Sequence, residues 1–94
     1  MGNRKLLPPY LSSLCMELSL ILKAGIRIGD GLEMLAADEP DRFAKSVLNS
    51  VKKELDNGGS VRIAMAATNA FPAYMTDMVE IGEKTGGLEG VFSS

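Results

Sequence analysis

Leu11 to Leu35 reads LSSLCMELSLILKAGIRIGDGLEML, and the changes of character along this stretch decide the fold. Leu11, Leu14, Leu18 and Ile21 recur at steps of three and four, and Tyr10, Cys15 and Leu22 widen the stripe. So broad an apolar face predicts a helix at the centre of its fold. Gly25 stands where the stripe ends. It fits the residue just past a helix, where the backbone turns left-handed and a glycine does so without a side-chain clash. Lys23 suits the negative end of the helix dipole. Ile26 and Ile28 flank Arg27 as a short extended connection. A second helix is expected from about Gly29 or Asp30 to Ala37, burying Ile28, Leu32, Leu35 and Ala36. The stretch presents packing surface and no catalytic constellation.

The rest of the composition narrows the class. The chain has 94 residues, 46% of them hydrophobic. A single domain of this size buries roughly two thirds of the surface its unfolded chain exposes. Trp is absent and aromatic residues are 5%, so aliphatic residues, Ala and Met must fill the core. The six Met read as core filler in preference to a surface that re-packs around a partner. A net charge of −2 argues against a nucleic-acid partner, which calls for a basic stripe, and weakly against anionic lipid. One Cys excludes an internal disulfide and a multi-cysteine metal site, and fits a reducing compartment. The absence of His removes the commonest general base and zinc ligand. No apolar run reaches the roughly 18 residues of a membrane span, and Met1–Lys5 does not open a signal segment. A soluble, cytosolic chain without cofactor or metal is expected.

Four further helices follow from spacing. Gly2 to Leu7 reads as a frayed lead-in, and Pro8 and Pro9 suit the first turn of the first helix. After the boundary Asp38-Glu39-Pro40-Asp41, with Pro40 expected in a first helical turn, Phe43, Ala44, Val47, Leu48, Val51 and Leu55 give the cleanest helical stripe. Lys45, Asn49, Lys52, Lys53, Glu54 and Asp56 lie off it, and Asn57-Gly58-Gly59 ends the helix. Ser60 caps a short fourth helix expected to face Ile63, Ala64 and Ala67 inward. Thr68-Asn69-Ala70 is a loop. Phe71 anchors a fifth helix with Pro72 in its first turn, and Met75, Met78, Val79 and Gly82 continue it. A glycine inside a helix costs about 1 kcal/mol against Ala; close approach of another helix would justify Gly82. Lys84-Thr85-Gly86-Gly87 closes that helix. Leu88, Val91 and Phe92 begin a sixth stripe, cut after about one turn like a fragment boundary. The apolar surface left over is expected to meet a second copy or stay poorly packed.

Candidate chemistry is thin. Gly82-Glu83-Lys84-Thr85 echoes the end of a phosphate-binding loop but lacks the earlier Gly, the strand and the adjacent Gly-Lys pair. Asn57-Gly58-Gly59-Ser60 could form an anion-binding turn, although a helix joint is the better reading. Asp38, Glu39 and Asp41 could hold calcium, yet lack the loop spacing and suit helix capping. Helix–turn–helix DNA reading finds no helix that concentrates Arg and Lys with base-reading residues.

The motifs in order resemble a cytoplasmic domain of the type II secretion system protein F family. The blocks are Leu18–Ile28 (LSLILKAGIRI), Gly31–Ala36, Leu55–Ala64 (LDNGGSVRIA), and Phe71-Pro72 with Ile81–Leu88 (IGEKTGGL). The resemblance covers about Leu11 to Phe92. It implies an all-α, antiparallel six-helix bundle, here one domain over 1–94 with its core at about 8–92 and its sixth helix truncated. Family members usually carry two such domains and three membrane spans, whereas this chain has one domain and no span, which points to a soluble fragment, with the first of the two domains the better reading, of a larger protein on the cytoplasmic face of the bacterial inner membrane. The resemblance implies a non-enzymatic scaffold that couples an assembly ATPase to pilin or pseudopilin addition, with other platform components and a homodimer as partners. Gly25, Gly58, Gly59, Phe71, Pro72, Gly82 and Gly86 are expected to be architectural. Lys45, Lys52 and Lys53 are candidate partner contacts, against a merely solvated helix face. The rivals are a stand-alone helical adaptor unrelated to secretion, and a small enzyme or nucleotide binder.

Overall fold

Each helix begins and ends where the local chemistry says it must. The computed structural model describes residues 4–94. The first helix, α1 (Pro8–Lys23), opens on a proline whose missing N–H would have had no intrahelical acceptor. It closes with Gly25 at φ +84°. There the Gly25 N–H donates to the Leu22 carbonyl at 3.0 Å and the Ile26 N–H to the Ile21 carbonyl at 3.1 Å. This paired closure satisfies two of the carbonyls a helix end leaves over. No atom lies within 4 Å of a Cβ built at Gly25, so the demand for glycine is purely conformational.

The second helix, α2 (Ile28–Asp38), takes in Ile28, which the sequence places in the connection. The third, α3 (Arg42–Asp56), starts later than Pro40. The Asp41 carboxylate accepts from the Ala44 N–H at 2.8 Å and so fixes Asp41 as the cap, which leaves Pro40 in the extended lead-in. The fourth, α4 (Val61–Ala67), is capped by Ser60, whose hydroxyl accepts from the Ile63 N–H. The fifth is α5 (Ala73–Thr85). Pro72 is its cap with extended backbone, φ −63° and ψ 148°, and not a member of its first turn. Pro72 therefore contributes a carbonyl, which accepts from the Met75 and Thr76 N–H groups. The sixth is α6 (Leu88–Ser93). No strand occurs among the described residues.

The helices close into a ring. Each packs on its neighbours in the chain, and α6 returns to α1; the α3 backbone comes close to α2 and α4 but not to α1 or α6. Leu14 of α1, Leu48 and Val51 of α3, and Val79 of α5 are almost fully buried at the centre. Around them lie Leu18, Leu32, Met65, Phe71 and Phe92.

Two expectations about faces change. Ile63 is 46% exposed and Ala67 is exposed, whereas Val61 and Met65 join Ala64 inside. The α4 helix is anchored by its neighbours, and they select the Val61–Ala64–Met65 face. Met78 is also largely outside, at 44% exposure. The lead-in is not frayed over the part described. Leu6 is buried, its N–H donates to the Ala70 carbonyl at 3.0 Å, and the Lys5 ammonium donates to the Asn69 carbonyl at 2.7 Å. Arg4 lies over the Phe43 ring, 4.2 Å from its centroid. Gly2 and Asn3 lie outside the described residues.

Candidate interaction surfaces

The polar side chains at the joints are used internally. Glu83, on the last turns of α5, reaches the start of α4. Its carboxylate oxygens accept from the Val61 N–H at 2.7 Å and the Arg62 N–H at 3.0 Å. Together with Ser60 this satisfies three N–H groups of the α4 start, where a negative group also meets the positive end of the helix. The helix start that follows the turn Asn57–Ser60 is thereby occupied by a carboxylate of the chain itself. The turn's own N–H groups are spent too: Gly58 donates to Leu55 and Gly59 to Glu54, at 3.0 Å each. Gly82-Glu83-Lys84-Thr85 lies inside α5 and is no phosphate loop. At the acidic boundary the Glu39 carboxylate accepts from the Asp41 N–H at 2.9 Å, while Asp41 caps α3. Among the described residues, no three His, Cys, Asp or Glu side chains gather as a metal site.

Of the glycines named from sequence, Gly25, Gly58, Gly59 and Gly86 sit at the joints and Gly82 lies inside α5. Gly58 and Gly86 share the left-handed backbone of Gly25, at φ +94° and +77°. Gly59 presses on α3, where a Cβ would stand 3.1 Å from the Glu54 carbonyl oxygen. Gly82 is the close-approach case: its Cβ would lie 2.8 Å from Val91 Cγ2 and 3.1 Å from Leu88 Cα. Here α6 lies directly against α5. Gly31, not singled out from the sequence, does the same for α2 and α1, with its Cβ position 2.6 Å from Ile21 Cγ2. Phe71, 6% exposed, is the core anchor that precedes α5.

Two surfaces remain for contact. One is an apolar groove of about 910 Å³ walled by α1 and α5, with Val91 and Phe92 of α6 beside it. Met16, Leu20, Tyr74 and Met78 line it and are exposed. Cys15 sits in its wall, half-buried, and burial pushes its thiol pKa up. The other surface is the outer face of α3. Lys45 and Lys53 are exposed there and enter no ion pair among the described residues. Lys52 lies apart from them. It is half-buried, bonded to Asp56 at 2.8 Å and within 3.7 Å of Glu33 on α2. Its pKa is raised, chiefly by the Asp56 hydrogen bond and further by the charges of Asp56, Glu33 and Asp30, against an opposing desolvation. Arg42 shares the exposed line with Lys45 and Lys53. Sequence reasoning passed it over, although its spacing of three from Lys45 was the signal.

No helix among the described residues is long and apolar enough to cross a membrane. Residues 14–94 match the model of the family described as type II secretion system (T2SS), protein F. The chain is 31% identical over 74 residues to the protein transport protein HofC homolog of Escherichia coli (strain K12), covering 78% of this chain and 18% of that protein. It is 30% identical over 76 residues to the type II secretion system protein F of Vibrio cholerae, covering 81% of this chain and 19% of that one. It is 26% identical over 76 residues to the type IV pilus assembly protein PilC of Pseudomonas aeruginosa, with coverage of 81% and 20%. The chain thus spans about a fifth of the length of these relatives. Six helices closing on one core, with the glycine joints and the Glu83 bridge inside the matched region, go together with that family model: the chain belongs to the type II secretion system protein F family.

Proposed function

We propose that this chain is a non-enzymatic scaffold domain of an inner-membrane platform protein in type II secretion or type IV pilus assembly. It stands on the cytoplasmic face of the membrane. It couples the assembly ATPase to the addition of pilin or pseudopilin subunits, and does so through contacts with its partners and with a second copy of itself. The relatives named for secretion and for pilus assembly support the setting. The observation that carries the mode of action is where the polar groups go. Glu83, Ser60 and Asp41 hold helix starts, and what faces outward is an apolar groove and a cationic helix face. A body whose joints are tied from within can pass on a displacement applied at one face to another.

The test is direct binding. The domain, immobilised on a sensor, is exposed to the assembly ATPase of the same organism, with an unrelated hexameric ATPase as control. Saturable binding of the cognate ATPase alone is the expected result. Equal binding of both, or of neither, would contradict the reading.

A further inference from the structure

The outer face of α3 carries a line of cations that enter no ion pair among the described residues. Arg42, Lys45, Asn49 and Lys53 follow one another at steps of three, four and four, and all four are exposed. Such steps bring side chains onto one face of a helix, over a length of about 16 Å at 1.5 Å per residue. Ser46 and Ser50 fill the space beside them, also exposed. Among the other cations, Lys23 and Arg27, at the joint of α1 and α2, also enter no ion pair among the described residues, but they stand apart from one another and from α3. Lys52 is matched by Asp56 and Glu33, and Arg62 and Lys84 by Glu80. In a chain with more acidic than basic residues, three neighbouring cations without a carboxylate between them form a local positive field.

From this we infer that α3 is the docking face for an acidic helix of a protein partner, one bearing Asp or Glu at the same three-four-four steps. The inference rests on the scaffold reading above and names the chemistry of one of its contacts. Two features favour a protein helix over the other anionic surfaces. Membrane-surface helices place apolar anchors beside their cations. The exposed face of α3 has none; the groove side chains Met16, Leu20, Tyr74 and Met78 belong to α1 and α5, and the neighbouring helix α2 exposes a single large apolar side chain, Met34. Polyphosphate surfaces want a broad basic footprint. Here the neighbouring helix α2 carries Asp30, Glu33 and Asp38 and no Lys or Arg, which repels a wide anionic sheet or duplex while leaving room for a narrow rod. The geometry also separates this face from the apolar groove. The α3 backbone runs close to neither α6 nor α1 and none of its residues lines the groove, so both surfaces can be occupied together.

The test is a titration of the ¹⁵N-labelled chain, followed by amide chemical shifts at low salt. The probe is a helical peptide with glutamates at positions i, i+3, i+7 and i+11. Controls are a peptide of equal composition with its glutamates spread around the helix, phosphatidylglycerol vesicles, and duplex DNA. The expected result is shifts confined to α3 with the matched peptide, at least tenfold weaker binding of the control peptide, and loss of the shifts in Lys45→Glu/Lys53→Glu. Shifts spread equally over Lys23, Arg27 and the other cations would overturn the inference. So would equal binding of the control peptide, or tighter binding of vesicles or DNA. If the matched peptide maps to α3 while the cognate ATPase fails to bind, the scaffold reading falls and the docking face stands. If the ATPase binds but neither it nor the peptide depends on Lys45 and Lys53, the reverse holds.

Discussion

Glu83 and Val61 are joined by a 2.7 Å hydrogen bond from the Val61 backbone N–H to the Glu83 carboxylate, and this bond ties the end of α5 to the start of α4. The second oxygen holds Arg62 in the same way. Replacing Glu83 by Ala leaves two N–H groups of α4 without their acceptor. The loss should be about 1–2 kcal/mol, the range for removing a helix cap. Glu83→Gln keeps one acceptor oxygen and should lose less. Urea unfolding midpoints report both; an unchanged midpoint in Glu83→Ala would remove this bridge from the account.

Two glycines in neighbouring helices should respond to Ala with opposite signs. At Gly82 the added methyl meets Leu88 Cα at 3.1 Å, a backbone atom that cannot rotate away. Overpacking costs about 1–3 kcal/mol, which outweighs the gain of about 1 kcal/mol in helix propensity. Gly82→Ala should therefore destabilise, with α6 losing amide-exchange protection first. Gly90, in α6, has open space where its Cβ would go. Gly90→Ala should stabilise by about 0.5–1 kcal/mol. Thermal melts of the two variants give the signs, and equal signs would contradict the packing of α6 on α5.

Much of this was legible in the sequence, for identifiable reasons. Gly25 marks its helix end because a stripe of regular period stops there, and Gly82 marks a contact because glycine inside a helix needs a reason. The face of α4 was not legible. Seven residues make about two turns, so Ile63 and Val61 are equally good candidates until α3 and α5 decide between them. The role of Glu83 was also hidden, since its partners lie 22 and 21 positions away in the chain. The cationic line was half visible. Lys45 and Lys53 stand out in any reading, whereas the separation of Lys52 from them depends on Glu33 of another helix.

Alkaline pH should weaken the fold through Tyr10. Burial, and then the neighbouring carboxylate of Glu39 with those of Glu17 and Asp41, pushes the phenol pKa well above its usual 10.0. The unfolded chain then releases this proton before the folded one does. The stability linked to Tyr10 is complete below pH 10 and is lost as pH rises above it, toward the folded-state value. Urea midpoints at pH 8 and pH 11 should differ more in the wild-type chain than in Tyr10→Phe. An equal difference in the two would show that the phenol does not titrate as its surroundings require.

The lead-in should contribute to stability. Leu6 is 6% exposed, and its N–H pairs with the Ala70 carbonyl ahead of the buried Phe71. Leu6→Ala removes buried methyl groups and should cost about 2–3 kcal/mol, within the range for core leucines. Differential scanning calorimetry measures it; a melting temperature equal to wild type would mean that Arg4–Leu7 does not pack as described.

If the domain works by contact alone, its partner must leave a footprint on the surface and none in the core. Hydrogen–deuterium exchange of the domain, alone and saturated with its assembly ATPase, reads both at once. The account predicts added protection over Arg42–Lys53 of α3, with exchange in the central segments around Leu14 and Val79 unchanged. Protection centred elsewhere with α3 unaffected, or opening of the core on binding, would contradict it.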